Sequence, residues 1–124
     1  ATDYALINAV RWNTKVILSV PCCQHELFSQ IDNDLHQPML KHGILKDRLT
    51  EYLTDGLRGL KLESCGYDVS MIEFTSLEHT SRNIMIKAVK KSGRNKDDAR
   101  SKKALRQYEQ LRDFYNVKPS IDIL

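Results

Sequence analysis

The stretch Lys15-Val16-Ile17-Leu18-Ser19-Val20-Pro21-Cys22-Cys23-Gln24-His25-Glu26-Leu27 decides how the rest of the chain is interpreted. Its apolar part, 15–20, is typical of a parallel strand buried on both faces, and Pro21 ends that strand. Two thiols, an imidazole and a carboxylate follow at once. Because open α/β sheets bind ligands at the carboxyl ends of their strands, we predict a catalytic site there. Its candidate residues are Pro21, Cys22, Cys23, His25 and Glu26.

Helix patterns lie on both sides of this strand. Thr2 or Asp3 caps a first helix over 4–12, because either side chain accepts hydrogen bonds from the free amides of an opening turn. A short helix is predicted at 24–31 and an irregular excursion at 32–43, which Pro38 interrupts. Apolar residues at three- and four-residue steps predict a long helix over 44–64, ended by Gly66. Two glycines inside it, at 56 and 59, indicate close packing against a sheet, because each costs helix stability.

Two further strands are predicted at 67–74 and 84–89. Both carry apolar residues on both faces, which is typical of strands covered by helices on each side. The segment between them, 75–83, leaves no room for a crossover helix, so the two strands pair antiparallel or lie one strand apart. A loop over 92–98 and a helix over 99–115, stopped by Pro119, follow. The pattern predicts a fold of the α/β class.

Two motifs and the order of elements resemble the second half of class I S-adenosylmethionine (SAM)-dependent methyltransferases. The resemblance covers nearly the whole chain, and it is to a bacterial group and, more distantly, to the tRNA acceptor-stem 2′-O-methyltransferases. Ala1-Thr2-Asp3 is similar to the tail of the motif that follows the family's fourth strand. Pro21-Cys22-Cys23-Gln24-His25-Glu26-Leu27 is similar to the motif that ends its fifth strand.

The resemblance implies a partial, Rossmann-like methyltransferase sheet made of the family's last three strands, with an antiparallel final strand and flanking helices. Residues 1–124 would form the acceptor-side half of the domain, with a basic loop and C-terminal helix over 91–124. SAM would be bound mainly by a cofactor half upstream, to which Thr2 and Asp3 add contacts, and this chain alone would be inactive. The acceptor side would include Glu78, His79, Thr80, Arg82 and Asn83, at the place where the bacterial members have a similar Glu-His-Thr-x-x-Asn pattern; the alternative is a hairpin whose Thr and Asn bond their own backbone.

The side chains after Pro21 also allow other chemistry. His25 or Glu26 is suited to act as a general base toward a weakly nucleophilic acceptor, and the alternative is that both bond nearby backbone groups. Adjacent thiols seldom hold one tetrahedral ion, so we predict no metal at Cys22 and Cys23, although Cys65 and His79 offer further ligands. A nucleophilic thiol in a redox or hydrolytic enzyme is a third interpretation, which requires a lowered thiol pKa.

Positive charge is concentrated in one part of the chain. The net charge is +3, but 87–106 holds nine basic residues and two acidic ones, a local charge of +7. Such a stretch is typical of a contact with a polyanion, and it is also typical of a solvated surface. We predict RNA as the methyl acceptor, although Gln24 and Glu26 differ from the tRNA enzymes. The alternative is a non-catalytic nucleic-acid-binding or assembly module that uses 87–106.

Composition bounds the remaining expectations. A chain of 124 residues, 41% hydrophobic, can bury one core, and no apolar run approaches the ~20 residues of a membrane span. Three cysteines, two of them adjacent, make a poor disulfide framework, and no leader pattern opens the chain, so we predict a cytoplasmic protein. The edge of strand 15–20 would be uncovered without a cofactor half, which predicts self-association.

Overall fold

The computed structural model describes residues 2–21, 25–75 and 82–124. These ranges form a mixed α/β structure with four α-helices and three β-strands, in which a final 3₁₀ turn follows the last helix. In chain order the elements are α1 (Thr2–Arg11), β1 (Val16–Ser19), α2 (Gln37–Leu40), α3 (Gly43–Ser64), β2 (Tyr67–Thr75), β3 (Arg82–Lys90), α4 (Ala99–Tyr115) and the turn Ser120–Ile123. No helix within the described ranges is long and apolar enough to cross a membrane.

The strands form an open sheet in the order β1-β3-β2. β3 lies in the centre and runs antiparallel to both neighbours, with Ile17 opposite Ala88 on one side and Val69 opposite Ala88 on the other. The predicted antiparallel pairing of the second and third strands is confirmed. Because β1 and β2 both run against β3, they point in the same direction, and their carboxyl ends lie at the same end of the sheet.

The described helices cover one face of the sheet. Ile17, Ile86 and Ala88 are buried there in one core with Leu6 and Leu57, which come from α1 and α3. The opposite face is open among the described residues, since it leaves these large apolar side chains exposed: Val16, Leu18, Ile72 and Phe74. The prediction of helices on both faces is therefore wrong for this part of the chain. Apolar residues on both faces of a strand show that both faces are hydrophobic, but they do not show which element, if any, covers each face.

The long helix α3 matches its prediction within one residue at its start. Gly66 follows it with a φ of 93°, the left-handed conformation expected of a terminal glycine. A Cβ at position 59 would lie 2.8 Å from Met71 Cε, so Gly59 permits the predicted close approach to the sheet. No atom lies within 4 Å of such a Cβ at position 56, and the same prediction is wrong for Gly56.

The segment between β1 and α3 differs from its prediction. Residues 26–30 form hydrogen-bonded turns and no helix is assigned to the described part of 24–31, whereas a short helix, α2, forms at 37–40. Pro38 lies in the first turn of α2, where its missing N–H has no partner to lose, so the proline starts a helix instead of interrupting one. Helix α4 ends at Asn116 in a left-handed conformation, three residues before Pro119.

Candidate functional site

Pro21 and Asn83, which are described members of the two polar clusters predicted from the sequence, lie at the same end of the sheet. Ser19 pairs with Ile86. Continuing this register by two residues places Pro21 opposite Ile84, which follows Asn83 along β3. At the same end, the last residue of β2, Thr75, pairs with Arg82. Pro21 is buried and Asn83 is half-buried. The predicted residues Cys22, Cys23, Glu78, His79 and Thr80 lie outside the described residues, as does the side chain of Arg82.

The imidazole of His25 stands in solvent beside helix α3. Its side chain is 76% exposed, and Nδ1 lies 3.9 Å from Oδ1 of Asp47 on the first turns of α3. His25 is therefore accessible to a reacting group and has an acidic neighbour, which sequence inspection did not single out because the two residues are 22 positions apart.

The carboxylate of Glu26 is engaged in a tertiary contact. Its Oε1 accepts hydrogen bonds from the backbone N–H of Ser120 at 2.9 Å and from the Ser120 hydroxyl at 2.6 Å. Close by, the Gln30 side-chain oxygen accepts from the N–H of Lys118 at 2.7 Å. These bonds attach the segment after β1 to the end of the chain. Glu26 therefore bonds a backbone group, as the alternative interpretation holds, but the group belongs to Ser120 and not to the turn that follows Glu26.

Asp3, predicted to contact the cofactor, lies in a buried ion-pair cluster. Its Oδ1 accepts from Nε of Arg58 at 2.7 Å, while Nη1 of Arg58 donates to Oδ1 of Asp55 at 3.1 Å. All three side chains are buried. Thr2 is half-buried at the start of α1. The cluster joins α1 to α3, and no local sequence pattern indicates it, because Arg58 and Asp3 are 55 positions apart.

The basic stretch divides into a structural part and an exposed part. Arg94 donates to the carboxylates of Asp68 and Asp98 and is mostly buried. Lys91 and Arg100 each lie within 4 Å of Asp68. Five cations are exposed, and they form no ion pair with a described residue: Lys87, Lys96, Lys102, Lys103 and Arg106.

A polar pocket of about 320 Å³ lies between this stretch and the beginning of β2. Three cationic side chains and two acidic ones line it, together with the amide of Gln107. Burial raises the pKa of Glu63 in its wall, against the lowering effect of Arg94 and Arg100. The pocket is at the opposite end of β2 from Thr75, and Pro21, His25 and Glu26 do not line it. Its charged residues are Glu63, Asp68, Arg94, Arg100 and Lys103.

A hydrogen-bonded cluster holds the final turn against α4 and α3. Tyr108 donates to Oδ1 of Asp122 at 2.9 Å, and Arg112 Nη1 donates to the same oxygen at 2.7 Å. Burial alone would raise the pKa of Asp122, but these two hydrogen bonds, together with the positive charges of Arg112 and Lys61, outweigh it and lower that pKa. Lys61 lies with Nζ 4.6 Å from the Tyr108 ring centre, and burial lowers its pKa. The role of the cluster is therefore structural, because it holds the end of the chain against α4 and α3.

Within 2–21, 25–75 and 82–124, no group of three or more histidine, cysteine or acidic residues is placed to hold a metal ion. The thiols of Cys22 and Cys23 fall outside these ranges, so the prediction that they hold no metal stays a prediction. Cys65, the described cysteine, is buried and free.

Comparison of the chain with models of protein families, with curated proteins and with solved structures finds no match. Any function assigned to the chain therefore depends on its own residues and fold.

Proposed function

We propose that this chain forms the acceptor side of a class I SAM-dependent methyltransferase domain. The observation that carries the proposal is the sheet order β1-β3-β2, in which the last strand lies antiparallel beside β1, as the resemblance implies. The direction of the strands also supports it, because Pro21 and Asn83 come to the same end of the sheet. Ligands of open α/β sheets bind at the carboxyl ends of the strands.

The described residues fit the acceptor side of such a domain and do not fit a cofactor pocket. A SAM site of this class needs a glycine-rich turn after a strand and a carboxylate for the ribose. Three of the glycines lie within α3, and Gly66 and Gly93 stand alone in separate loops. The carboxylate of Asp3 is already bound by Arg58. SAM, when bound to the upstream half, would supply an electrophilic methyl group.

Of the two candidate bases, His25 fits the role better than Glu26. Its imidazole is exposed beside α3, where Nδ1 lies 3.9 Å from Oδ1 of Asp47, and it is accessible to an acceptor hydroxyl. Glu26 would have to give up two hydrogen bonds from Ser120 before it could take a proton. We therefore assign His25 as the group that accepts the proton from a hydroxyl acceptor.

The test uses the full-length protein. Its first half-domain would add on the order of 100 residues upstream of this chain. Radiolabelled methyl transfer from SAM to bulk RNA is expected to occur, and His25→Ala is expected to lower kcat by about 100-fold or more with unchanged SAM binding. His42→Ala is the matched control, because His42 is also exposed and lies at the start of α3. A full-length protein that neither binds SAM nor transfers methyl groups contradicts the proposal.

A second candidate function is non-catalytic binding of nucleic acid. It is favoured by Lys102, Lys103 and Arg106, which lie exposed within two turns of α4 and form no ion pair with a described residue. Neutralising phosphates is the main source of affinity for nucleic acid without sequence preference. This module would bind RNA without SAM and without transferring a group.

Salt dependence of RNA binding tests this candidate. Changing the three residues to Gln is expected to weaken binding to single-stranded RNA and to reduce the slope of log affinity against log salt by about 2, since each phosphate contact contributes about 0.7. The control changes Lys15, Lys41 and Lys118 to Gln, which removes the same charge from other exposed positions. Equal effects of the two triple variants contradict a localised interface.

A further inference from the structure

The polar pocket beside α4 is built from parts of the chain that lie away from the upstream half-domain. Its lining residues all fall within 63–107, at the end of α3, the start of β2, the loop after β3 and the first half of α4. β3 separates β2 from β1, and a cofactor half would join the sheet beside β1. The pocket volume of about 320 Å³ is at the small end of the range of about 300–1,000 Å³ for sites that bind small molecules.

Arg94 fixes the shape of the pocket, because its guanidinium joins the three elements that form the walls. It donates to the carboxylate of Asp68 on β2, to the carbonyl of Glu63 at the end of α3 at 3.4 Å, and to the Asp98 carboxylate that caps α4 at 3.1 Å. The Arg94 side chain is 11% exposed, so this cation is committed to structure. A site whose walls are held in place before a ligand arrives loses less entropy on binding.

Two other cations of the pocket have hydrogen-bonding capacity to spare. Arg100 Nη2 lies 3.8 Å from Oδ1 of Asp68, which is too far for a hydrogen bond, and its side chain is 74% exposed. The ammonium group of Lys103, one turn further along α4, forms no hydrogen bond or ion pair with a described residue. The amide of Gln107 follows after one more turn, so the three side chains line the pocket from one face of α4.

The two acidic residues of the pocket differ in their contacts. Asp68 is neutralised, because Arg94 donates to its Oδ1 and the ammonium of Lys91 lies 3.3 Å from its Oδ2. The carboxylate of Glu63 is half-buried and forms no hydrogen bond or ion pair within the described part of the chain. Burial raises its pKa, as expected where lost hydration is not replaced. Glu63 is therefore an open acceptor in the wall that α3 forms.

We propose that this pocket binds a small phosphate monoester that also carries a hydroxyl group, such as a sugar phosphate or a nucleoside monophosphate. The phosphate oxygens accept hydrogen bonds from Arg100 and Lys103, and a hydroxyl of the same ligand donates to Glu63. The two cations match the charge of about −1.5 to −2 that a phosphate monoester carries at neutral pH. A ligand with one carboxylate would leave one of the cations unpaired, and an amine would be repelled by both.

The proposal does not depend on the methyltransferase assignment, because the pocket is at the opposite end of β2 from Thr75. It also differs from the second candidate function. A nucleic-acid surface follows the phosphodiester backbone along the exposed cations of α4, whereas this pocket takes a terminal phosphate between α4, β2 and α3.

Ribose 5-phosphate, ribose and inorganic phosphate are the probes for the 124-residue chain. At about 0.1 M salt, NMR titration is expected to show saturable binding of ribose 5-phosphate with a Kd of about 1 mM or tighter. The shifted amides should cluster around Glu63, Arg100 and Lys103. Ribose and inorganic phosphate are each expected to bind at least about 10-fold more weakly, since each lacks one of the two contacts. Ribose 5-phosphate that does not bind, or binds no more tightly than inorganic phosphate, overturns the proposal.

A short RNA with a 5′-hydroxyl group distinguishes the pocket from a nucleic-acid surface. It has phosphodiesters but no terminal phosphate, so it is expected to leave the signals of bound ribose 5-phosphate in place at equal concentration. An RNA that displaces ribose 5-phosphate and binds more tightly assigns the cations to a nucleic-acid interface and overturns the proposal.

Arg100→Gln and Lys102→Gln are a matched pair of variants within the first turns of α4. Each removes one exposed positive charge, but Lys102 does not line the pocket. Arg100→Gln is expected to weaken binding of ribose 5-phosphate by about 10-fold or more, and Lys102→Gln by less than about 2-fold. Circular dichroism verifies that both variants fold, and equal losses from the two changes contradict binding in the pocket.

Glu63→Leu tests the contact with the hydroxyl group. It removes the open acceptor and one negative charge, so inorganic phosphate should bind at least as tightly as it does to the wild type. The advantage of ribose 5-phosphate over inorganic phosphate should disappear, because the hydroxyl then has no acceptor. This ratio of two affinities measured on one variant is insensitive to a general loss of stability. A ratio that stays at its wild-type value overturns the assignment of Glu63 and with it the proposed ligand class.

Discussion

At the scale of single residues, the roles of the polar side chains follow from partners distant in the chain. Asp3 is held by Arg58 and Glu26 by Ser120, at separations of 55 and 94 residues. A sequence pattern identifies a carboxylate that follows a strand or opens a helix, but it carries no information on a donor brought in by tertiary packing. The candidate residues could therefore be named from the sequence, whereas their availability for chemistry could not.

The buried cluster around Arg58 predicts a large loss of stability when its cation is removed. In Arg58→Met two carboxylates, Asp3 and Asp55, lose their shared guanidinium, and we expect a loss of about 3–5 kcal/mol in the free energy of unfolding. Arg48→Met, on the same helix but at an exposed ion pair with Glu51, should cost at most about 1 kcal/mol. Urea unfolding measures both free energies. Equal losses would mean that the buried cluster contributes no more to stability than the exposed ion pair.

Asp98 predicts part of the response of stability to acid. The backbone N–H of Ser101 donates to its carboxylate, and with the N–H of Asn95 and the Arg94 guanidinium it lowers the pKa, although desolvation opposes them. A carboxyl with a lower pKa in the folded state stabilises the fold above its unfolded value of about 4, and this contribution disappears as the pH falls further.

Asp98→Asn keeps an oxygen that can cap α4 but removes the titrating group, so its thermal midpoint should fall less than that of the wild type between about pH 4 and pH 2. Asp97→Asn is the control, because the Asp97 side chain is exposed and the hydrogen bond of this residue in the loop, to Oδ1 of Asn95, comes from its backbone N–H. An acid response of Asp98→Asn that matches the wild type contradicts the assignment.

At the scale of elements, the two glycines of α3 should respond in opposite ways to the same change. Gly56→Ala adds a methyl group into open space and is expected to stabilise the fold by about 1 kcal/mol through helix propensity. Gly59→Ala gains the same propensity but pushes its Cβ against Met71, so its net gain should be smaller or negative. Thermal and urea unfolding of the two variants measure the difference, and identical gains would show that Met71 yields without cost.

The sequence predicted the elements that are marked by a pattern of apolar residues within the element itself. The runs 15–20 and 67–74 and the periodic apolar positions of 44–64 gave strands and a helix close to the observed bounds. The segment 24–43 did not follow its prediction, because its shape depends on where Leu27 and Ile31 are buried and on hydrogen bonds to the end of the chain. A proline is common both in the first turn of a helix and where a helix breaks, so Pro38 alone does not distinguish the start of α2 from an interruption.

At the scale of the whole molecule, strand direction explains why Pro21 and Asn83 lie at one end of the sheet. β1 and β2 run the same way on either side of β3, so their carboxyl ends share that end, where β3 begins. The antiparallel pairing was predictable from the short link 75–83. The position of β3 beside β1 was implied only by the resemblance, and the open face of the sheet was not predicted, because a single chain's apolar pattern records neither strand order nor which face is covered.

The engaged Asp3 and the lack of a glycine-rich turn in the described loops together predict that the 124-residue chain does not bind SAM. Binding to the ribose would require a free carboxylate, and Asp3 is committed to Arg58 by a 2.7 Å hydrogen bond in a buried site. Backbone contact with the cofactor would require a glycine-rich turn, which none of the described loops provides. Isothermal titration calorimetry should show no binding tighter than about 1 mM.

The same titration into Asp3→Asn separates the two roles of this residue. If Asp3 serves only the ion-pair cluster, neither protein binds SAM, and the variant differs from the wild type in its unfolding midpoint alone. Micromolar binding to the wild type that S-adenosylhomocysteine competes away and Asp3→Asn abolishes would place the cofactor on this chain. In that case Arg58 would have to release the carboxylate on binding, and the division into an acceptor side and a cofactor half would be wrong.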